Sequence, residues 1–281
     1  MKEIVGKILA DEGIDCFGIL PAEELTVINP RLMPSWARSA ILLVVPYHDG
    51  SVYRDGVSAY AHIPDYHGYF TGLFSRILPK LEEYFPGNRF FGSADHSPIH
   101  EKEAAAKSGL GVLGLNSLLI NGKYGSYIFL GSVLTDVETN EQAKEIQYCN
   151  RCGKCMAACP GGAISENGLD GGYCLSALSQ KKKLAAEELL ILKNHGIAWG
   201  CDRCQEVCPY NRERENTKIP FFRDSRHGNF TASEVASMTD EEFLSFAFSW
   251  RGRARICENL SNLENLGEQK KNQGFSLDLF E

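Results

Sequence analysis

The chain has 281 residues, of which 43% are hydrophobic, so it can bury a substantial core in one large domain or two ordinary ones. A formal net charge of −7 argues against a surface coated in positive potential for non-specific nucleic-acid binding, although a local basic face is compatible with it. The N-terminus carries acids and no signal-like apolar run, and the longest apolar run, AILLVVPY, is too short to cross a bilayer, which predicts a cytoplasmic protein without a membrane partner.

Strand-like and helix-like segments alternate through the first half of the chain. Five apolar segments are typical of strands: IDCFGIL, AILLVVPY, RFFGSA, SLLI and GSYIFLGSVLT. Between them, aromatic and aliphatic residues recur at helical steps from Tyr66 to Leu81, which predicts an amphipathic helix kinked or interrupted near Pro79. We interpret these aromatic residues as core packing rather than as a cofactor box. The mixture predicts an α/β or α+β domain over residues 1–147.

The stretch GLGVLG, residues 109–114, matches the G-x-G-x-x-G pattern of dinucleotide-binding proteins. That pattern binds a pyrophosphate only where a strand enters the glycines and a helix leaves them. Here the order is reversed, because SPIHEKEAAAKS predicts a helix with Ser97 as N-cap and Pro98 at its first position, ending at Gly109, and LNSLLI then predicts a strand. We therefore interpret the glycines as a helix C-cap and a tight turn.

Cysteine usage changes at about residue 148. The following stretch is rich in cysteine, glycine and short loops, and we predict a ferredoxin-like domain over residues 148–215 with one helix in LAAEELLILKNHG. Residues 216–281 are predicted to form short C-terminal helices, since TASE and TDEE match the capping box, followed by a polar tail, GEQKKNQG. The predicted fold class of the whole chain is α+β.

Ten cysteines are many for a chain of this size. Disulfides need an oxidising compartment that nothing in the sequence indicates, so clustered cysteines point to metal or redox chemistry. CNRCGKCMAACP is the C-x2-C-x2-C-x3-C-P run by which bacterial ferredoxins bind [4Fe–4S] clusters, and its fourth cysteine ligates the other cluster. CDRCQEVCP adds three cysteines, and Cys174, between the two motifs, completes the eight that two clusters need.

The crossover pattern predicts two sets of ligands. One cluster is predicted to be bound by Cys149, Cys152, Cys155 and Cys208, and the other by Cys159, Cys174, Cys201 and Cys204. Zinc is the competing hypothesis, but a tetrahedral site would leave surplus cysteines at these short spacings, and the Cys-Pro endings favour iron. Cys16 and Cys257 are interpreted as packing residues. Because clusters move single electrons, the long N-terminal part is the expected destination of those electrons.

Several motifs together resemble the cobalamin-dependent epoxyqueuosine reductases, a family related more distantly to the reductive dehalogenases. The resemblance rests on PDYHGYF, ADHSPIHEKEAAAKSGLGVLGLNSLLI, GSYIFLG, the eight-cysteine spacing, GCDRCQEVCPYN and FAFSWRGRAR. It implies an α/β corrinoid-binding domain at the N-terminus, two [4Fe–4S] clusters, base-off cobalamin and removal of the epoxide oxygen of epoxyqueuosine at the wobble position of a tRNA. The implied partners are a tRNA anticodon stem-loop and an external electron donor such as a flavodoxin or ferredoxin.

The resemblance also implies roles for individual residues. Asp95 matches the family's proton donor, although from the residues alone an acid just upstream of a helix is equally expected to cap it. The residues implied to shape the corrinoid and substrate pocket are Gly109, Gly111, Gly114, Asn116 and His67. His67 and His96 are the histidines expected nearest that pocket, and base-off binding implies that neither ligates cobalt.

The sequence departs from the family pattern at places that concern the substrate. Val112 replaces an aromatic residue, Leu115 a lysine and His96 a threonine, and the chain is a short form that ends before the helical repeats of other members. Basic residues that could contact tRNA phosphates, or simply form a solvated face, are Lys181, Lys182, Lys183, Arg212, Arg214, Arg223 and Arg226. The alternatives are a corrinoid and iron–sulfur reductase of a small molecule, or a non-catalytic electron-transfer iron–sulfur protein.

Overall fold

The computed structural model describes residues 1–272 and divides the chain into two compact units. The first unit comprises Met1–Asp49, Tyr66–Gly153 and Cys208–Asp224, and the second comprises Gly50–Asp65, Lys154–Val207 and the chain from Ser225. These units are interleaved in sequence, so the three sequential domains stay a prediction. Among the described residues, no helix combines the length and apolar character needed to cross a membrane.

The secondary structure is a mixture of helices and short strands. In chain order the strands are β1 (Cys16–Pro21), β2 (Ser39–Pro46), β3 (Phe90–Ser93), β4 (Val112–Leu113), β5 (Leu119–Ile120), β6 (Ile128–Thr135), β7 (Ile164–Ser165) and β8 (Gly168–Leu169). The α-helices are α1 (Lys2–Asp11), α2 (Tyr66–Tyr84), α3 (Glu101–Lys107), α4 (Lys154–Ala158), α5 (Leu175–Ser179), α6 (Ala186–Asn194), α7 (Arg203–Glu206), α8 (Pro220–Arg223), α9 (Ala232–Ser237), α10 (Asp240–Leu244) and α11 (Arg253–Asn272). The predicted polar tail begins within α11, and its end lies outside the described residues.

A four-stranded antiparallel sheet forms the centre of the first unit, with strand order β1-β2-β6-β3. Every residue of β2 is buried, which explains its unbroken apolar sequence. Ile41 and Leu43 face the apolar side chains of α1 and α2, whereas Leu42 packs with Ile99 and Ala104 beside α3. Both faces of the sheet are therefore covered. Because its strands pair antiparallel, the first unit has an α+β fold.

Helix α2 confirms the helical periodicity predicted from Tyr66 to Leu81. It continues without interruption through Pro79 to Tyr84, and Leu73, Ile77 and Leu81 on its inner face are fully buried. The helix packs on α1 and β3, so its aromatic and aliphatic side chains belong to the core, as predicted.

Helix α3 begins later than the sequence indicates, and the predicted N-cap, Ser97, was wrong. The observed N-cap is His100, whose ring Nδ1 accepts the Glu103 backbone N–H at 3.3 Å. Residues 98–100 are held in extended pairing instead, since the Pro98 carbonyl accepts two backbone N–H groups and Ile99 forms a bridge with Val27. The helix thus starts only where that pairing ends.

The second unit has a separate aromatic core. Trp199, Phe230, Phe248 and Ile256 are almost completely buried there, and Trp199 Nε1 donates to the Tyr60 hydroxyl at 2.9 Å. Thr239 caps α10 with the predicted reciprocal capping box, and Thr231 caps α9 by accepting the Glu234 N–H. The short helices predicted after residue 216 are therefore present.

Candidate functional site

The glycine segment links α3 to the β4–β5 hairpin, as the reversed order of its flanking elements predicts. Gly109 has φ +83°, the left-handed conformation of a helix C-cap. A Cβ on Gly111 would meet the Ile120 carbonyl oxygen at 2.4 Å, and one on Gly114 would meet Asn116 Oδ1 at 2.3 Å. Close packing within the hairpin thus accounts for both glycines without a dinucleotide. The strand predicted for LNSLLI was too long, because residues up to Leu118 form the turn and β5 contains only Leu119–Ile120.

The hairpin is joined directly to the start of the cysteine run. Leu113 N–H donates to the Gln147 carbonyl at 2.8 Å, and Cys149 N–H donates to the Leu113 carbonyl at 3.0 Å. These bonds form a bridge between Leu113 and Tyr148. The predicted pocket segment and the first predicted cluster ligand therefore share one backbone ladder within the first unit.

Three predicted ligands of one cluster lie together in the first unit. Burial raises the pKa of the Cys208 thiol, and charge on Cys152 and Cys149 raises that pKa further. The Tyr210 hydroxyl, two residues beyond Cys208, accepts the Asn150 backbone N–H at 3.3 Å. Cys152 is exposed. The fourth predicted ligand of this set, Cys155, stays a prediction.

The second unit contains the four cysteines predicted for the other cluster. Burial raises the pKa of the Cys201 thiol to about 11, and charge on Cys174 adds to this effect. The Ala163 backbone N–H donates to the Cys159 sulfur at 3.2 Å. Helix α7, which contains Cys204, packs against α4. Cys174 and Cys201, distant in sequence, lie in the same unit, and their binding to one cluster stays a prediction.

The cysteines are available to bind metal. All ten are free, so no disulfide competes with metal binding. Among the residues that the structure describes, no three His, Cys, Asp or Glu side chains are grouped to hold a single metal ion. The number and spacing of the cysteines are what favour two [4Fe–4S] clusters over zinc.

The predicted acid, Asp95, occupies an unusual backbone turn. Its φ is +61°, and the His96 N–H donates to the Ala94 carbonyl at 2.7 Å, closing a three-residue turn around it. Such turns are rare and strained for a residue with a side chain. Because His100 caps α3, the alternative role of Asp95 as helix cap was wrong. The Asp95 carboxyl in this turn is exposed.

His67, from the first turn of α2, is the partner of this carboxylate. Its Nε2 lies 3.3 Å from Asp95 Oδ2, and both side chains are about half exposed. The His67 ring stacks on Tyr66, which in turn stacks on Phe129 of β6. Helix α2, the turn after β3 and strand β6 thus converge on one acid–imidazole pair. Its role in catalysis stays a prediction at this point.

Glu101 is a buried acid that the sequence analysis did not single out. Burial raises the pKa of its carboxyl to about 8, and the charge of Asp95 raises it further, while polar groups of Asp95 and Ser97 lower it. Within the described part of the chain, Glu101 Oε1 has no hydrogen-bond partner. An acid six residues after Asp95, at the start of a helix, is the sequence signal that could have found it.

The remaining predicted pocket residues differ in exposure. Asn116 and Leu115 are buried in the hairpin, whereas Val112 is partly buried and His96 is exposed. Apolar side chains that are only partly covered lie beside α3 and β5, namely Leu110, Leu113, Ile128, Leu130 and Ile146. The hairpin therefore borders a partly covered apolar surface.

The basic residues considered for phosphate contact separate into two groups. Lys181 pairs with Glu188 and Arg223 with Asp224, while Arg214 lies over the Tyr127 ring and contacts His48. Lys182, Lys183 and Arg212 are exposed. The first group is engaged within the protein, so the second group is the better candidate for a phosphate contact.

The fold and the eight cysteines define a two-cluster iron–sulfur protein. Residues 148–211 match the family model of a 4Fe-4S double cluster binding domain. The protein is similar to an epoxyqueuosine reductase of Cyclobacterium marinum, 32% identical over 77% of this chain and 71% of the relative. It is also 36% identical to an epoxyqueuosine reductase of Aliivibrio fischeri over 67% of this chain, but spans only 51% of that protein. The chain belongs to the epoxyqueuosine reductase family.

Solved structures share the fold. Epoxyqueuosine reductase from Streptococcus thermophilus superposes with a TM-score of 0.77 at 23% identity, covering 97% of this chain and 86% of that one. An epoxyqueuosine reductase with a tRNA-Tyr epoxyqueuosine-modified tRNA stem loop gives the same TM-score at 21% identity, covering 93% of this chain and 80% of that one. The predicted α+β architecture is thereby confirmed.

Proposed function

We propose that this protein reduces epoxyqueuosine to queuosine at the wobble position of tRNA, in the cytoplasm. Two electrons and two protons convert the epoxide into an alkene and release its oxygen as water. Family membership, together with an exposed carboxyl held on a strained turn and paired with a histidine, is the observation that carries this proposal. Neither feature is needed by a protein that only carries electrons.

Asp95 is the proposed proton donor to the epoxide oxygen. Its exposed carboxyl can reach a substrate, and His67 Nε2 holds one carboxyl oxygen in place. General acid catalysis of this kind contributes about 10²- to 10⁴-fold to a rate. The His67 imidazole orients the Asp95 carboxyl. Because this contact engages its Nε2, His67 is not proposed as a ligand of the cobalt.

Cobalamin, when bound, would supply a strongly reducing cobalt centre next to the substrate. The partly covered apolar side chains beside the glycine hairpin suit the face of a corrin. We infer that Leu110, Ile128 and Leu130, with Asn116 in the hairpin, hold the macrocycle. Their apolar character also excludes water from the reducing centre.

Electrons are proposed to enter through the clusters from a flavodoxin or ferredoxin. Exposure of Cys152 supports this, because a ligand at the surface brings its cluster within reach of an external donor. A tRNA anticodon stem-loop is the proposed substrate carrier, as in the relative solved with such a stem loop. Exposed Lys182, Lys183 and Arg212 are the proposed phosphate contacts.

Nucleoside analysis tests the reaction. Anaerobically reconstituted protein, given cobalamin, a chemical reductant and epoxyqueuosine-containing tRNA, should convert epoxyqueuosine to queuosine. Protein that takes up cobalamin, seen as a change in its absorption spectrum, but leaves the tRNA unchanged would reject this substrate and favour the small-molecule reductase. Protein that takes up no cobalamin would reject both and favour an electron carrier.

A further inference from the structure

Asp202 lies in the ligand loop, residues 200–204, between the predicted cluster ligands Cys201 and Cys204. The proposed reaction assigns this acid no role. It is the N-cap of α7, a position where an aspartate side chain normally accepts an N–H of its own helix, but it makes no such bond. Its carboxylate instead bonds residues 143 and 144 positions earlier in the chain, so it serves another purpose than capping.

Both oxygens of the Asp202 carboxylate accept hydrogen bonds from one short segment. Oδ1 accepts the Ser58 hydroxyl at 2.7 Å, and Oδ2 accepts the Ala59 backbone N–H at 2.7 Å. Oδ1 also accepts the Gln205 side-chain N–H at 2.9 Å. Hydrogen bonds to a carboxylate are roughly twice as strong as those between neutral groups. Because neighbouring residues bind the two oxygens of one side chain, the contact fixes orientation as well as distance.

The segment that Asp202 binds is itself held by backbone pairing just before the ligand loop. The Ala198 N–H donates to the Gly56 carbonyl at 2.8 Å, and the Ser58 N–H donates to the Trp199 carbonyl at 2.8 Å. These bonds form a short parallel bridge, and the Trp199 side chain is fully buried. The segment is thus anchored in the aromatic core of the second unit and gives the acid a fixed support.

The other side of the ligand loop is held by Ser179, at the end of α5. Ser179 is fully buried, and its hydroxyl accepts the Gly200 N–H at 2.9 Å. Cys201 packs on the apolar cluster that contains Leu175, the first residue of α5. Helix α5 directly follows Cys174, another predicted ligand of the same cluster. The ligand loop is therefore supported by the cysteine-rich region on one side and by the carboxylate contacts on the other.

We propose that Asp202 is a positioning residue for the predicted ligands Cys201 and Cys204: its anchored carboxylate holds their loop in place and sets a negative charge beside the cluster that they bind. An ionised aspartate only accepts hydrogen bonds, and the three contacts of this carboxylate are all of that kind. A negative charge beside a cluster disfavours reduction, because reduction adds another. The proposal rests on the proposed function only in taking the clusters as the path of the electrons.

Amide hydrogen exchange of the anaerobically reconstituted full chain tests the contact without any substrate. Asp202→Ala should increase exchange of the Ala59 N–H by about tenfold, the scale of one lost hydrogen bond. Glu206→Gln is the matched control, because Glu206 lies on the same helix and pairs with Arg203. In this control the Ala59 N–H should exchange as in the wild type. Unchanged exchange in folded Asp202→Ala would overturn the proposal.

Release of iron to a chelator tests the positioning of the ligands. In Asp202→Ala, about four of about eight irons per chain should be released about tenfold faster than in the wild type, and the others at the wild-type rate. Ser58→Ala removes one bond to the carboxylate and keeps its charge, so it should speed release of about four irons by a smaller factor. Where Asp202→Ala cannot be purified with iron, Ser58→Ala decides. Faster release of all the iron, or of none, would overturn the proposal.

The reduction potentials give a readout that a purely structural role would leave unchanged. Asp202→Asn keeps an oxygen for the Ala59 N–H but removes the charge. Redox titration followed by electron paramagnetic resonance should give a more positive midpoint for one cluster and an unchanged midpoint for the other. Wild-type midpoints for both clusters in Asp202→Asn would overturn the proposal. Inactivity of the wild type on tRNA would instead reject the proposed substrate and leave the exchange, iron and redox results standing.

Discussion

His67 Nε2 and Asp95 Oδ2 lie 3.3 Å apart, and this pair joins the first turn of α2 to the strained turn after β3. Both side chains are about half exposed, so the contact by itself stabilises the fold little. In the proposed reaction its value would lie in orientation, because the imidazole contacts one oxygen of the carboxyl and leaves the other for the substrate. Two predictions concern this pair.

Replacing Asp95 by Asn should abolish turnover while both clusters and cobalamin uptake are retained. The amide keeps the shape of the side chain but cannot deliver the proton, and we expect kcat to fall by about 10²- to 10⁴-fold. Single-turnover measurement of queuosine formation checks this. Asp224→Asn is the control, since Asp224 is an exposed acid paired with Arg223. Retained activity would show that Asp95 is not the acid.

Replacing His67 by Gln should lower kcat less, by about tenfold, because it disturbs orientation and removes no proton donor. The double variant with Asp95→Asn should be no slower than Asp95→Asn alone, since the two residues act as a unit. A double variant whose loss equals the product of the single losses would show that the residues act independently. The measurement is kcat for all three variants at one pH.

Replacing Cys174 by Ser should remove one cluster and spare the other. Iron in anaerobically purified protein should fall from about eight to about four per chain. The matched control is Cys257→Ser, because Cys257 lies outside both motifs and packs against the aromatic core of the second unit. Elemental analysis of the same sample measures the iron content and the zinc content per chain separately. Zinc in place of iron in the wild type would refute the cluster model.

Asn211 anchors the segment that follows Cys208. Its side chain is buried, accepts the Ser126 N–H at 2.8 Å and donates to the Ser126 hydroxyl at 2.9 Å. Asn211→Ala should lower the free energy of unfolding by about 1–3 kcal/mol, because a buried N–H is left unsatisfied. Chemical denaturation under nitrogen measures this loss. Arg212→Ala, at the exposed neighbouring position, should change it little, and an equal loss there would contradict the anchoring role.

The raised pKa of Glu101 also predicts how stability depends on pH. The folded state holds the proton up to about pH 8, whereas the unfolded chain releases it near pH 4.5, so this contribution is complete below pH 4.5 and is lost as pH rises through about 8. Relative to Glu101→Gln, the wild type should lose about 1.4 kcal/mol per pH unit between these values. A constant stability difference between the two proteins across that range would contradict the buried, protonated acid.

Local sequence signals predicted much of this fold. The apolar runs identified β1, β2, β3 and β6, and cysteine spacing indicated a two-cluster domain, which the family model over residues 148–211 confirms. The apolar runs are local signals, and the cysteine signal depends only on the number and spacing of the cysteines. Pro98 shows where they fail: it matches a helix start, but its carbonyl is used by the chain at Ile28 and Asn29, far away in sequence. The burial of Glu101 likewise depends on a turn whose shape no nearby residue indicates.

The bond from Cys149 to Leu113 has a consequence for how the molecule can vary over evolution. A residue inserted at the tip of the β4–β5 hairpin changes only a loop, but one inserted between Gly111 and Leu113 shifts the register of the ladder that ends at Cys149. The tip can therefore vary in length, whereas the length of the hairpin base is constrained by its backbone bond to Cys149, a predicted cluster ligand.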